Sequence, residues 1–204
     1  MGSRTLPAEL RRTISREEIN ELPIRRYEGE IHLVSSPPDL DRAMAEIRTE
    51  RVLGFDTETR PAFRRGEHHL PCLVQVATAR AVYLFPLQRM DFSAAIAEFL
   101  AQPEMTKVGV SVAHDLRELK LVFPFQEASM LDAGAAVRRH GLEQTGLRNL
   151  AALFLGFRIP KGNRTSNWAA RRLSRAQLLY AATDAWVCRE LFLRFEELGL
   201  LLDS

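Results

Sequence analysis

The 204-residue chain has two cysteines, Cys72 and Cys188, far apart and without metal-ligand spacing. They read as two buried thiols in a reducing compartment, not as a disulfide framework or a zinc site. No apolar run is long enough to span a bilayer, and the N-terminus lacks the apolar core of a signal peptide. The expectation is a soluble, cytoplasmic protein with no membrane partner. Charge of one sign is also missing. The 28 Lys and Arg against 26 Asp and Glu leave a net charge of +2, which permits a polyanionic partner without demanding one. There is no internal repeat, no low-complexity tract and no glycine-rich phosphate loop. A 46% hydrophobic content in 204 residues suits one globular domain, or one domain plus an arm.

Residues 1–28 mix both charge signs ("RRTISREEINELPIRRYEGE" runs from 11 to 30) and read as a polar N-terminal arm with at most a short helix. The domain proper is expected over 29–204. "IHLVSS" predicts a first strand and "PPDLDRAMAEIRTE" a helix starting after Pro38. "RVLGFDTET" is a short apolar run ending in acids, so a buried strand with charge at its C-terminal end. "CLVQVAT" and "ARAVYLFPL" predict a hairpin. The helix "DFSAAIAEFLAQP", the buried strand "TKVGVSV" and the helix "HDLRELKLVF" follow. "SMLDAGAAVRRH" and "GLRNLAALFLG" read as helical, "FRIPKGNRTSNW" as a polar loop, and residues from Ser174 onward as a long closing helix with that serine as its N-cap. Strands alternating with helices after an early hairpin give an α/β layered domain with a mixed sheet.

Four carboxylates do not fit a core. Asp56 and Glu58, two apart on a strand, point to one face of a sheet. Asp115 stands where a strand gives way to a helix. Asp184 lies among Ala, Trp and Val on the closing helix, four residues after Tyr180 and so on its face. An ionised carboxylate buried without a partner is costly, and several together raise one another's pKa. Arginine pairing is one remedy, but no Lys or Arg occurs within "LGFDTET" or "YAATDAW" until Arg60 and Arg189 at their margins. A hard divalent cation with oxygen ligands is the other.

Order and flanks together are more specific than any single acid. "GFDTE" (54–58), "KVGVSVAHDLREL" (107–119) and "YAATDA" (180–185), with "LRNLAALFLG" followed by "KGNRTSNW", resemble the 3′–5′ exonucleases of the DEDD superfamily, in the subclass marked by tyrosine. The likeness is to the branch that holds the Werner syndrome helicase exonuclease domain and ribonuclease D, and it runs from about residue 30 to about residue 198.

The resemblance implies a ribonuclease H-like mixed sheet flanked by helices. It implies a catalytic set of Asp56, Glu58, Asp115, Tyr180 and Asp184, with two divalent ions, Mg²⁺ or Mn²⁺. Asp56 and Glu58 supply ligands, Asp115 holds the second ion mostly through water, Asp184 is a direct ligand of the first, and Tyr180 positions the attacking water. Lys161 or Arg164 is typed to meet the substrate phosphate. Trp168 is expected to anchor its loop in the core, and Asp132 to start a helix. Glu118, His114, His68 and His69 are given no catalytic part. The implied partner is nucleic acid, single-stranded or 3′-recessed DNA or RNA, cut to nucleoside monophosphates. DNA is the favoured expectation, because the chain stops soon after the closing helix, without the further helical domains of ribonuclease D. The competing reading is a binding module of the same fold without catalysis, against which all four acids and the tyrosine are present. Asp56→Ala and Asp184→Ala are each expected to abolish cleavage while circular dichroism still reports a folded chain. Loss of folded protein in either would contradict the reading.

Overall fold

The computed structural model describes residue 10 and residues 13–64, 66–162 and 165–201. In chain order these form α1 (Arg16–Glu21), β1 (Glu30–Leu33), α2 (Pro37–Ile47), β2 (Val52–Thr59), β3 (Pro71–Ala77), β4 (Ala81–Pro86), α3 (Ser93–Ala101), β5 (Thr106–Gly109), α4 (Val112–Leu119), β6 (Met130–Asp132), α5 (Ala133–Arg138), α6 (Leu147–Leu150), a π-helical stretch (Ala151–Leu155) and α7 (Arg175–Glu197). The six strands form one mixed sheet in the order β1-β4-β3-β2-β5-β6. The β2–β3 and β3–β4 pairs are antiparallel; β1–β4, β2–β5 and β5–β6 are parallel. No helix among the described residues is long and apolar enough to cross a membrane.

Alternation along β2 sorts its side chains into two layers. Leu53 and Phe55 join Met44, Ile47, Val74, Val76, Phe99 and Leu116 in a core beneath α2, α3 and α4. The opposite face packs on α7, where Leu73, Ala77 and Leu84 meet Ala181, Ala182 and Ala185. Small residues on that stretch of α7 let the helix lie close to the sheet. The limit is reached at Gly54, where a β-carbon would stand 1.9 Å from the carbonyl oxygen of Ala185. Gly54, Asp56 and Glu58 share a face by the period of two, so the contact that admits α7 also aims the two acids at it.

The helix ends follow their local chemistry. Ser174 caps α7, accepting from Gln177 N while the Gln177 side chain accepts from Ser174 N. The first helix after β1 begins at Pro37 rather than beyond Pro38, because Ser36 caps it and both prolines fit its first turn. Two further expectations are corrected. "SMLDAGAAVRRH" is not all helix: Met130–Asp132 add a sixth strand beside β5, and Asp132 then caps α5 by accepting from Ala135 N. Three residues are too few to carry a strand pattern of their own, and pairing with β5 decides them. "GLRNLAALFLG" is one α-helical turn that widens to π geometry over Ala151–Leu155, with Gly156 closing it at φ 70°.

The described part of the N-terminal segment lies on the domain. Ile14 and Ile19 are buried against the α7 side of the core, and Arg25 N donates to Arg158 O at 3.0 Å.

Gly54→Ala is expected to destabilise by at least about 2–3 kcal/mol, the upper end for an overpacked core, because backbone rather than a movable side chain fills the space. Urea denaturation checks this; a change under about 1 kcal/mol would show that α7 can step away from β2 at little cost.

Candidate active site

The site forms where β2 outruns its parallel neighbour. The β2–β5 ladder covers Val52, Leu53 and Gly54 and stops, while β2 continues to Thr59 against β3. Asp56 and Glu58 are therefore on a stretch with no strand on the β5 side. The register with β3 shifts immediately after Glu58, an irregularity of the kind that re-aims side chains beside functional sites. Into the gap come α7 from one face of the sheet and the first turn of α4 from the other.

One ligand oxygen each from Asp56, Glu58 and Asp184 lie within 4.8 Å of one another. Glu58 and Asp184 are buried, 8% and 7% exposed, and Asp56 is half-buried. Asp115 stands in the first turn of α4, outside that trio, and its Oδ1 accepts from Thr57 Oγ1 at 2.7 Å. The turn delivering it is unusual: Ser111 precedes α4 with φ 59°, left-handed geometry that a non-glycine residue adopts at a cost.

The electrostatics match crowded acids. Asp56 is pushed well above the usual carboxylate range by burial, then by the charges of Asp184 and Asp115. Asp184 is pushed up to about 7 by burial, against a hydrogen bond from Tyr180 and the charge of Arg148, which both lower it. Burial also raises Asp115, against the Thr57 hydrogen bond. Tyr180 rises above its ordinary phenol value through burial and the charges of Asp184 and Glu58, so its hydroxyl stays protonated at neutral pH. The Tyr180 ring is 6.0 Å from that of Trp168, and the backbone of Gly162 packs on its edge, where a β-carbon would be 2.2 Å from Cδ2.

Four of the five expected catalytic residues, Asp56, Glu58, Tyr180 and Asp184, converge from β2 and α7. Asp115 approaches β2 from the opposite layer. Lys161 is exposed and borders two clefts that share Tyr180 and Asp184. Arg164 lies outside the described residues. Trp168 is 2% exposed and does anchor its loop. His114 is an exposed surface residue with Nδ1 2.7 Å from Arg117 Nη2, and Glu118 is not an ordinary surface charge: its Oε2 is 2.6 Å from His68 Nε2, which ties the loop after β2 to α4.

Two polar groups near the acids escaped the sequence reading. Arg148, on α6, is the cation that lowers Asp184, and its Nε is buried without a hydrogen-bond partner. Nothing in "GLRNL" marks it, because only the chain's return beside α7 brings it to Asp184. Gln75 is fully buried, pairs across the strands with Asp56, and has neither amide atom bonded. Its signal was visible, since a lone amide inside "CLVQVAT" has no place in an apolar strand.

Buried oxygen ligands whose mutual repulsion is only partly relieved by one guanidinium form a donor set that fits a hard divalent cation. The fold and this centre together define an α/β domain with a buried carboxylate cluster beside a mixed sheet. The sequence profile of the 3′–5′ exonuclease family matches residues 31–199, and the chain belongs to that family. It is 28% identical over 210 residues to the human exonuclease mut-7 homolog, covering 86% of this chain and 24% of that protein. Against ribonuclease D of Gluconacetobacter diazotrophicus it is 32% identical over 164 residues, 78% of this chain and 41% of that one. The chain thus spans a quarter to two fifths of the length of these relatives. The solved EXO domain of Aedes aegypti Nibbler superposes with a TM-score of 0.77 at 24% identity, over 89% of this chain and 94% of that one, and shares the fold.

Without metal the cluster destabilises the protein, and the sign follows from the shifts. Asp184 holds its proton to about pH 7 when folded, against about 3.9 unfolded, and Asp56 is shifted the same way. Between those values the folded state binds more protons, so the contribution to stability falls as pH rises. Asp184→Asn removes that penalty. In EDTA, the melting temperature of Asp184→Asn minus that of the wild type is expected to grow from pH 5 to pH 8. A difference that shrinks with pH would contradict the assignment.

Proposed function

We propose that the chain is an active, metal-dependent 3′–5′ exonuclease that releases nucleoside monophosphates from nucleic-acid 3′ ends. The observation supporting this is the convergence of Asp56, Glu58 and Asp184 oxygens within 4.8 Å beside Tyr180. In this reading Asp56, Glu58 and Asp184 would hold one Mg²⁺ or Mn²⁺, and Asp115 would serve a second, mostly through water. When bound, divalent ions supply charge for the leaving oxygen and lower the pKa of water. The reaction adds water to phosphorus and breaks the P–O3′ bond, and the 3′ oxygen departs as a hydroxyl. Tyr180 orients the water through its neutral hydroxyl oxygen, its one proton being donated to Asp184, and its raised pKa disqualifies it as a base at neutral pH. Lys161 and Arg164 are the cations proposed to meet phosphate. The arm of residues 1–28 and the domain of 29–204 remain the proposed division.

The ribonuclease D relative favours RNA as the polymer, whereas DNA is what the sequence reading favoured. Both present the same phosphodiester, and discrimination rests on contacts to the 2′-hydroxyl. A time course on 5′-labelled single-stranded DNA and RNA of one sequence, with Mg²⁺, Mn²⁺ or EDTA, tests the activity and the polymer together. A descending ladder that needs metal and disappears in Asp56→Ala is the expected result, with Tyr180→Phe slowed about a hundredfold, the scale for a displaced reactant. No ladder on either polymer would leave a nucleic-acid-binding module instead.

A further inference from the structure

Two clefts share Pro160, Lys161, Gly162, Tyr180 and Asp184 in their walls. One, of about 520 Å³, includes Arg148 and Asn149. The other, of about 590 Å³, runs along the start of α7 and is bordered by Arg26, Lys161 and Arg175. All three cations are exposed, and none is in an ion pair among the described residues. Among the described residues that line this second cleft, Asp184 is the one acid.

Arg26 is notable because it comes from the N-terminal segment, whereas the rest of the cleft lining lies between Pro160 and Asp184. Its position is braced on both sides. Arg25 N donates to Arg158 O at 3.0 Å, and Arg158 N donates to Pro23 O at 2.9 Å. Tyr27 N donates to Thr183 Oγ1 at 3.1 Å, Tyr27 Oη to Arg80 O at 3.2 Å, and the Tyr27 ring is 6.0 Å from that of Trp186. Thr183 is the residue beside Asp184. The segment is thus clamped to the catalytic helix at the level of the acids, with Arg26 between the clamps.

A 3′-end exonuclease divides its substrate at the scissile phosphate. On one side is a single nucleotide that leaves; on the other is a strand with a phosphate at every step. A cleft with three unpaired cations suits the side with many phosphates. We propose that the Arg26–Lys161–Arg175 cleft holds the retained strand upstream of the scissile bond, and that the N-terminal segment is part of the substrate-binding surface. This rests on the exonuclease reading above.

The test compares a trinucleotide with a 12-mer of the same polymer, using the full chain. Arg26→Glu with Arg175→Glu is expected to raise KM for the 12-mer at least about tenfold and for the trinucleotide much less, since the trinucleotide has little upstream backbone. Binding of labelled 12-mer to the Asp56→Ala protein is expected to lose about 0.7 per arginine from the slope of log Kd against log salt. Arg26→Lys should retain most of the affinity. Arg139→Glu, an exposed charge that lines neither cleft, should leave both lengths unchanged. An equal change at both lengths, no change at either, or the same length-dependent loss in Arg139→Glu would overturn the proposal. If the wild type degraded neither substrate, the exonuclease reading would fail instead.

Discussion

The backbone of α7 lies against that of β2 at Gly54, with no room for a β-carbon between them. From that approach the site follows. With the helix this close, a carboxylate on α7 can share ligand space with carboxylates two and four residues further along β2. Alanines at 181, 182 and 185 maintain the contact along the helix. A larger separation would leave Asp56, Glu58 and Asp184 as three unrelated acids, each able to reach water.

Held together, these groups work against the fold that holds them. Burial raises both Asp56 and Asp184, the charges of Asp184 and Asp115 raise Asp56 further, and Arg148 offsets the rise of Asp184 only in part. The surrounding protein bears the cost through two apolar layers packed on either side of a six-stranded sheet. Local energetic conflict is characteristic of sites built to bind a charge of the opposite sign. The same crowding keeps Tyr180 protonated, so one electrostatic arrangement favours cation binding and preserves a neutral donor beside it.

Among the described residues, the two clefts beside Asp184 are bordered by cations. Arg148 borders one of the two clefts that share Asp184, Arg26 and Arg175 border the other, and Lys161 borders both. His68 and Glu118 fasten the loop leaving β2 to the helix that bears Asp115. Acids at the centre with bases at the rim suit the proposed polyanionic substrate, one of whose phosphodiesters would be brought to metal. The net charge of +2 conceals this, because it sums every charge in the chain.

Much of this was legible in the chain. The short strand ending in Asp56 and Glu58, the i, i+4 pairing of Tyr180 with Asp184, the hairpin and the Ser174 cap are local patterns, governed by periods of 2 and 3.6 and by capping chemistry. Gln75 was also legible as an amide in an apolar strand. Other features depend on distant parts of the chain. The three residues of β6 become a strand only beside β5. Arg148 meets Asp184 only when α6 packs under α7. Arg26 reaches the cleft only because backbone hydrogen bonds tie its segment to Arg158 and Thr183. Local sequence determined the elements and which acids were anomalous, because those properties are set within a turn or a strand. Tertiary structure alone decided which cations face the acids, because charges approach through space and their spacing in sequence carries no record of it.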